Sequence, residues 1–93
     1  AEQLQPLTQA MEDFKKGMLF HENDLDAAFA NAIRLVMSGN LYAGLDGLLD
    51  ILRQEKHYRK DRARLVALAL LELLDPQGSE TLQYRKELTS ILF

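Results

Sequence analysis

The sequence contains no cysteine, no tryptophan, only two prolines and five glycines, and no long apolar run. Without cysteine the chain has no disulfide, no thiolate nucleophile and no Cys-ligated metal, so an apolar core alone must hold the fold. No apolar segment reaches the roughly 18 to 20 residues that span a bilayer. The opening AEQLQPLTQ has neither the basic region nor the apolar stretch of a secretory signal. The lack of cysteine fits a cytoplasmic location.

The length of 93 residues and the hydrophobic content of 47% predict one small domain spanning residues 1–93. A second core would need roughly another hundred residues. The formal net charge of −3 gives no general attraction to nucleic acid or to an anionic membrane. Because the chain begins at Ala1 rather than Met, we expect it to be part of a longer protein.

Apolar residues recur at spacings of three and four, and this helical period predicts an all-α domain of about five helices. The first helix is predicted from Pro6 to Phe20, with an apolar stripe formed by Leu7, Met11, Phe14 and Met18. Asn23 is a good N-cap, which predicts a second helix from Asp24 to about Ser38. Its expected buried face consists of Leu25, Ala28, Phe29, Ala32, Ile33 and Val36.

Three further helices follow from the same period. Gly39 and Asn40 predict a tight turn, so the second and third helices should form an antiparallel hairpin, with Gly44 where they cross. The segment 63–74 is apolar on most of its circumference, which predicts a central fourth helix. Ser79 is predicted to cap a fifth helix that runs to the last residue. The expected inward residues of the fifth helix are Leu82, Leu88, Ile91 and Leu92.

The sequence offers little support for catalysis, for a metal or for a cofactor. His21 and His57 lie far apart and lack a third ligand at matched spacing, so no zinc site is predicted. The carboxylates of segment 22–26 lack the pattern of an EF-hand loop and are better explained as a helix start. The glycines of AGLDGLLD follow no strand, so no nucleotide loop is predicted. We therefore expect no catalytic, cofactor-binding or metal-binding residue.

Charge is unevenly distributed along the chain. Residues 1–50 carry a formal charge of −5, whereas residues 51–93 carry +2. The basic residues concentrate in one cluster, which comprises Arg53, Lys56, Arg59, Lys60, Arg62 and Arg64. Such a cluster next to Tyr58 has two explanations, phosphate contacts with nucleic acid or the solvated face of a helix, and the interleaved Glu55 and Asp61 favour the second.

The order of the segments resembles a known family. The second helix, the Gly39 turn and the third helix resemble a tetratricopeptide hairpin, with Ala32 at the position of the small residue. The succession NDLDAAFANAIRLVMSGN, LDGLLDIL, KDRARLVALALLELLDP and YRKELTSILF resembles the C-terminal tetratricopeptide-like domain of bacterial thioredoxin-like co-chaperones. This resemblance implies helical hairpins in a short right-handed array. It also implies a cytoplasmic stress-response protein that binds chaperonin and unfolded clients.

The resemblance also implies where partners bind. The terminal-helix pattern of the family falls on Tyr84, Arg85, Lys86, Leu88, Leu92 and Phe93. The amphipathic end of this helix has two explanations, packing in the core or insertion into a partner groove. We expect a non-catalytic protein-interaction module, with homodimerisation or a spacer role as the alternative. A small enzyme or a nucleic-acid binder would rest on His57, Tyr58 and the basic cluster alone.

Overall fold

The computed structural model describes residues 4–93, which form five α-helices and contain no strand. The helices are α1 (Gln5–Lys15), α2 (Asp24–Met37), α3 (Leu41–Gln54), α4 (Tyr58–Leu73) and α5 (Ser79–Leu92). In the described part of the chain, the predicted all-α fold is therefore confirmed. The segment 1–3, at the start of the predicted domain, lies outside the described residues.

The first helix is shorter than predicted. It ends at Lys15 because Gly17 adopts a left-handed conformation with φ of 68°. The backbone N–H of Met18 then donates to the carbonyl of Asp13 at 2.8 Å and closes the last turn. As a result Met18, expected in the buried stripe, is 64% exposed, and Leu19 is buried instead. Because α1 packs against α4 and α2, the first helix belongs to this core.

The hairpin of α2 and α3 is confirmed. The side chain of Asn23 accepts a hydrogen bond from the backbone N–H of Asp26 at 2.9 Å, as expected of an N-cap. Gly39 ends α2 with φ of 93°, in the left-handed region. The two helices then pack closely at Gly44, where an added Cβ would lie 3.0 Å from the carbonyl oxygen of Ala32. In the predicted buried face of α2, Leu25 and Ala28 are only partly buried.

Helix α4 lies between α1 and α3 and provides the centre of the core. Its buried residues include Ala63, Val66, Ala67, Ala69, Leu70 and Leu71. The apolar circumference is not fully covered, since Leu65 is 41% and Leu73 50% exposed. The helix starts earlier than the predicted residue 63, but residues 59–61 have left-handed backbone angles, so regular geometry begins at Arg62.

Two expectations for α5 are wrong. Gly78, not Ser79, occupies the N-cap position, and no side-chain cap is formed. Leu82, expected to face inward, is 54% exposed, and Thr81 is buried in its place. Thr81 and Leu88 lie seven residues apart and share the inner face of the helix. Leu82 is rotated from that face by about 100°.

Candidate functional site

The candidate site lies at the end of α5, and its position depends on how this helix is attached to the domain. Helix α5 packs against α3 through a limited inner face. Only Thr81 and Leu88 are fully buried, while Tyr84, Ile91 and Leu92 are partly buried against the core. Polar contacts near the middle of α5 therefore contribute to fixing its direction.

One of these contacts joins Tyr84 to α3. Its hydroxyl donates to Oδ1 of Asp46 at 2.7 Å, and its ring stacks on Tyr42 at a centroid distance of 5.6 Å. Burial, followed by the hydrogen bond to Asp46, raises the pKa of Tyr84 well above its usual range. An ion pair between Arg53 and Glu87, at 3.6 Å, lies on the same side of α5. The middle of α5 is thus anchored to α3.

Beyond this anchor, the end of α5 forms one wall of a groove. The groove has a volume of about 230 Å³, and we call it the terminal groove. Three segments line it: the connection between α3 and α4, helix α4, and the end of α5. The lining residues are Lys56, His57, Arg64, Leu92 and Phe93. Phe93 is 94% exposed, so a large apolar side chain stands in solvent beside basic groups.

The charged side chains that line the terminal groove are basic, and no Asp or Glu side chain is among them. Within residues 4–93, neither Lys56 nor Arg64 forms an ion pair. Nδ1 of His57 lies 2.7 Å from Oδ1 of Asp61, a residue that does not line the groove. The groove therefore combines basic side chains with an apolar surface.

The structure brings together only part of the predicted partner-binding set. Leu92 and Phe93 meet in the terminal groove. Leu88 is 3% exposed and Tyr84 is bound to Asp46, so both contribute to the attachment of α5. Arg85 and Lys86 do not line the groove; Arg85 is partly buried and Lys86 is exposed.

The basic cluster of the sequence is divided by the fold. Arg53 pairs with Asp50 and Glu87, while Arg62 donates to Asp13 at 2.7 Å. Arg59 is directed toward Asp26. Only part of the cluster therefore remains available to a partner, and Lys56 and Arg64 are the members that reach the terminal groove.

A buried carboxylate at the start of α2, Asp26, was not predicted from the sequence as a functional or structural site. Asp26 is 1% exposed, and its oxygens accept hydrogen bonds from Tyr58, from Arg59 and from the backbone N–H of Glu22. The guanidinium of Arg59 also lies 3.7 Å from the ring centroid of Phe20. The sequence gives no local signal for this cluster, because Asp26 fits the first-turn pattern and its partners lie 32 and 33 residues away.

These contacts shift the acidity of the groups involved. Hydrogen bonding from Arg59 outweighs the effect of burial and lowers the pKa of Asp26 far below its ordinary value. Burial and the hydrogen bond to Asp26 raise the pKa of Tyr58 to about 12. Asp26 is therefore ionised at neutral pH, and both of its carboxylate oxygens accept hydrogen bonds. Such a group fits a structural role, because no free oxygen is left for a substrate.

The described surface carries further grooves, among them the following two. One of about 380 Å³ carries acidic side chains and is lined by Asp46, Ser79, Glu80, Gln83, Tyr84 and Glu87. The other, of about 370 Å³, lies between α1 and α4 and is lined by Gln5, Pro6, Gln9, Arg62 and Leu65. Within residues 4–93, no group of three or more His, Asp or Glu side chains is placed to hold a metal ion. No helix in that range is long and apolar enough to cross a membrane.

Three curated relatives resemble this chain. They are uncharacterised proteins, one from Mycobacterium bovis and two from strains of Mycobacterium tuberculosis. Each is 31% identical over 71 residues, which is 76% of this chain but only 23% of the relative. No solved structure matches this chain significantly. The profile of the tetratricopeptide repeat family matches residues 4–93. With the all-α fold and the α2–α3 hairpin, this match shows that the chain belongs to the tetratricopeptide repeat family.

Proposed function

We propose that this domain is a non-catalytic protein-interaction module that binds its partners through the end of α5. The supporting observation is the exposure of Phe93, which is 94%, at the end of a helix that is anchored upstream by Tyr84 and Asp46. An exposed aromatic side chain can bury a large apolar area in a partner groove, which favours affinity. Membership of the tetratricopeptide repeat family supports a role in protein binding.

The proposal includes a specific class of partner. From the resemblance to thioredoxin-like co-chaperones, we infer that the domain acts in the cytoplasm and binds chaperonin, unfolded clients or both. Leu92 and Phe93 would supply buried apolar area in such a complex. The cations beside them would orient the contact at its rim, where single charge pairs contribute little.

Co-sedimentation with bacterial chaperonin tests this function. The intact chain is compared with a chain that lacks residues 90–93, and circular dichroism establishes that both are helical. We expect the intact chain to sediment with chaperonin and the shortened chain to remain in the supernatant. Failure of the folded intact chain to bind would contradict the choice of chaperonin as the partner.

Self-association is a second candidate function, and one observation favours it. The same molecule carries an acidic groove with Asp46, Glu80 and Glu87 and a positively charged terminal groove with Lys56 and Arg64. Opposite charges on two faces allow one copy to bind the next. Light scattering at increasing concentration distinguishes the two functions, because a constant monomeric mass would exclude self-association.

A further inference from the structure

We propose that the terminal groove binds an acidic peptide segment that carries a large apolar side chain. This inference rests on the proposed function and adds to it the chemistry of the partner. Three separate segments of the chain converge on the groove, and each contributes a different part of the binding surface. Lys56 and His57 come from the α3–α4 connection, Arg64 from α4, and Leu92 with Phe93 from the end of α5.

The charges of the groove favour a carboxylate. Arg53, Arg59 and Arg62 are each bound to a carboxylate of this domain, whereas Lys56 and Arg64 have no acidic partner within residues 4–93. The neighbouring acidic residues, Glu55 and Asp61, do not line the groove. Asp61 contacts Nδ1 of His57, and the carboxylate of Glu55 accepts from the backbone N–H of His57 at 3.3 Å. Lys56 and Arg64 therefore lack an Asp or Glu partner within residues 4–93, and their charge favours the carboxylates of a binding partner.

The apolar part of the groove favours a protein over a nucleic acid. Leu92 is partly buried and Phe93 is almost fully exposed, so an apolar side chain of a partner would remove both from water. Binding of single-stranded nucleic acid relies on several cations along a backbone track and on stacking aromatics. This groove has two unpaired cations and a single aromatic ring, and its neighbouring arginines are occupied. An acidic and apolar peptide matches all of its features.

Fluorescence anisotropy with labelled peptides tests the proposal. Two short probes share a Leu-Phe centre; one is flanked by Glu and Asp, the other by Gln and Asn. We expect the acidic probe to bind at least about tenfold more tightly at low salt, and the difference to shrink as salt is raised. The variant K56E/R64E should reduce binding of the acidic probe by about tenfold or more and leave the neutral probe unchanged.

Controls separate the charge of the groove from the charge of the whole chain. The variant K15E/K16E makes the same change in net charge at the C-terminal end of α1, outside the groove, and should bind the acidic probe like the original chain. A third probe with Lys flanks should bind K56E/R64E more tightly than it binds the original chain. The gain should be absent in K15E/K16E, which has the same net charge, and circular dichroism establishes that both variants are folded.

Several results would overturn the proposal. They are equal affinity for the acidic and neutral probes, no binding of any probe to the folded chain, or equally tight binding of a short RNA. The outcome for the proposed function, chaperonin binding, is distinguishable from the outcome for the acidic-peptide specificity. If residues 90–93 are needed for chaperonin binding but the probes are not discriminated, the docking role stands and the acidic specificity is wrong. If the probes are discriminated but chaperonin does not bind, the groove stands and the choice of partner is wrong.

Discussion

Asp26 and Arg59 form a paired contact between the start of α2 and the start of α4. Nη2 of Arg59 lies 2.7 Å from Oδ2 of Asp26, and Nε lies 3.2 Å from Oδ1. The carboxylate is buried, whereas the guanidinium side chain is 26% exposed. This contact connects two parts of the core that are far apart in the sequence, and it fixes the first turn of α4, where the backbone is left-handed.

Removing the charge of Asp26 should destabilise the fold. Asp26→Asn replaces the negatively charged hydrogen-bond acceptor of Arg59 and Tyr58 by a neutral amide. Breaking a buried pair typically costs 3–5 kcal/mol, and the partial exposure of the arginine reduces our expectation to about 2–4 kcal/mol. Urea unfolding measures the effect. The control is Asp24→Asn, an exposed carboxylate in the same turn, which should change stability by less than about 0.5 kcal/mol.

The same carboxylate should make stability depend on acid pH. The folded-state pKa of Asp26 lies below its ordinary value of 3.8. The contribution of Asp26 to the free energy of unfolding is therefore fully present above that value. It is lost as the pH falls below about 4 toward the folded-state pKa. Unfolding curves from pH 7 to pH 3 should show the difference between the original chain and Asp26→Asn narrowing below pH 4. A constant difference over this range would show that the ionised carboxylate contributes nothing specific.

Loss of the Tyr84 hydroxyl should loosen α5. Tyr84→Phe keeps the stacking on Tyr42 but removes the hydrogen bond to Asp46, and we expect a cost of about 1 kcal/mol or less because Asp46 is exposed. Hydrogen exchange of the amides in α5 should be faster in this variant. The matched control is Tyr42→Phe, since Tyr42 makes no hydroxyl hydrogen bond within the described residues. Similar exchange in both variants would show that Asp46 does not fix the helix.

The crossing of α2 and α3 gives a prediction about two glycines. At Gly44, an added Cβ would lie 3.0 Å from the carbonyl oxygen of Ala32 and closer still to the side chain of Val36. We expect Gly44→Ala to destabilise the fold by about 1–3 kcal/mol despite the better helix propensity of alanine. At Gly47 the nearest atom is Cβ of Ala32, at 3.2 Å, so Gly47→Ala should cost less. Thermal unfolding compares them, and equal melting temperatures would argue against close contact at Gly44.

The sequence predicted those elements whose signals are local. Asn23 caps α2 and Gly39 ends it, so both limits of this helix follow from single residues next to the helix. The end of α1 was predicted too late, because the choice between a tolerated glycine and a left-handed stop at Gly17 depends on packing. In α5, Leu82 and Thr81 compete for one inward position, and hydrophobicity alone favours the residue that the fold exposes.

The candidate site was predicted only in part for a similar reason. The sequence pointed to Leu92 and Phe93 through the amphipathic pattern of the terminal helix. It also predicted a basic cluster, but not that Lys56 and Arg64 are the members that line the terminal groove without an Asp or Glu partner in residues 4–93. Which cations are paired depends on contacts such as Arg62 with Asp13, which lie 49 residues apart. Long-range pairing of this kind has no periodic signature in the sequence.

The most direct test of the central claim concerns Phe93. Chaperonin binding is measured for Phe93→Asp and for the control Leu82→Asp, which places the same charge at an exposed apolar position within α5. Both variants should keep the helical circular dichroism of the original chain. We predict a loss of at least about tenfold in affinity for Phe93→Asp, as for an aromatic anchor, and little change for Leu82→Asp. Equal affinities of the original chain and folded Phe93→Asp would contradict docking through the end of α5.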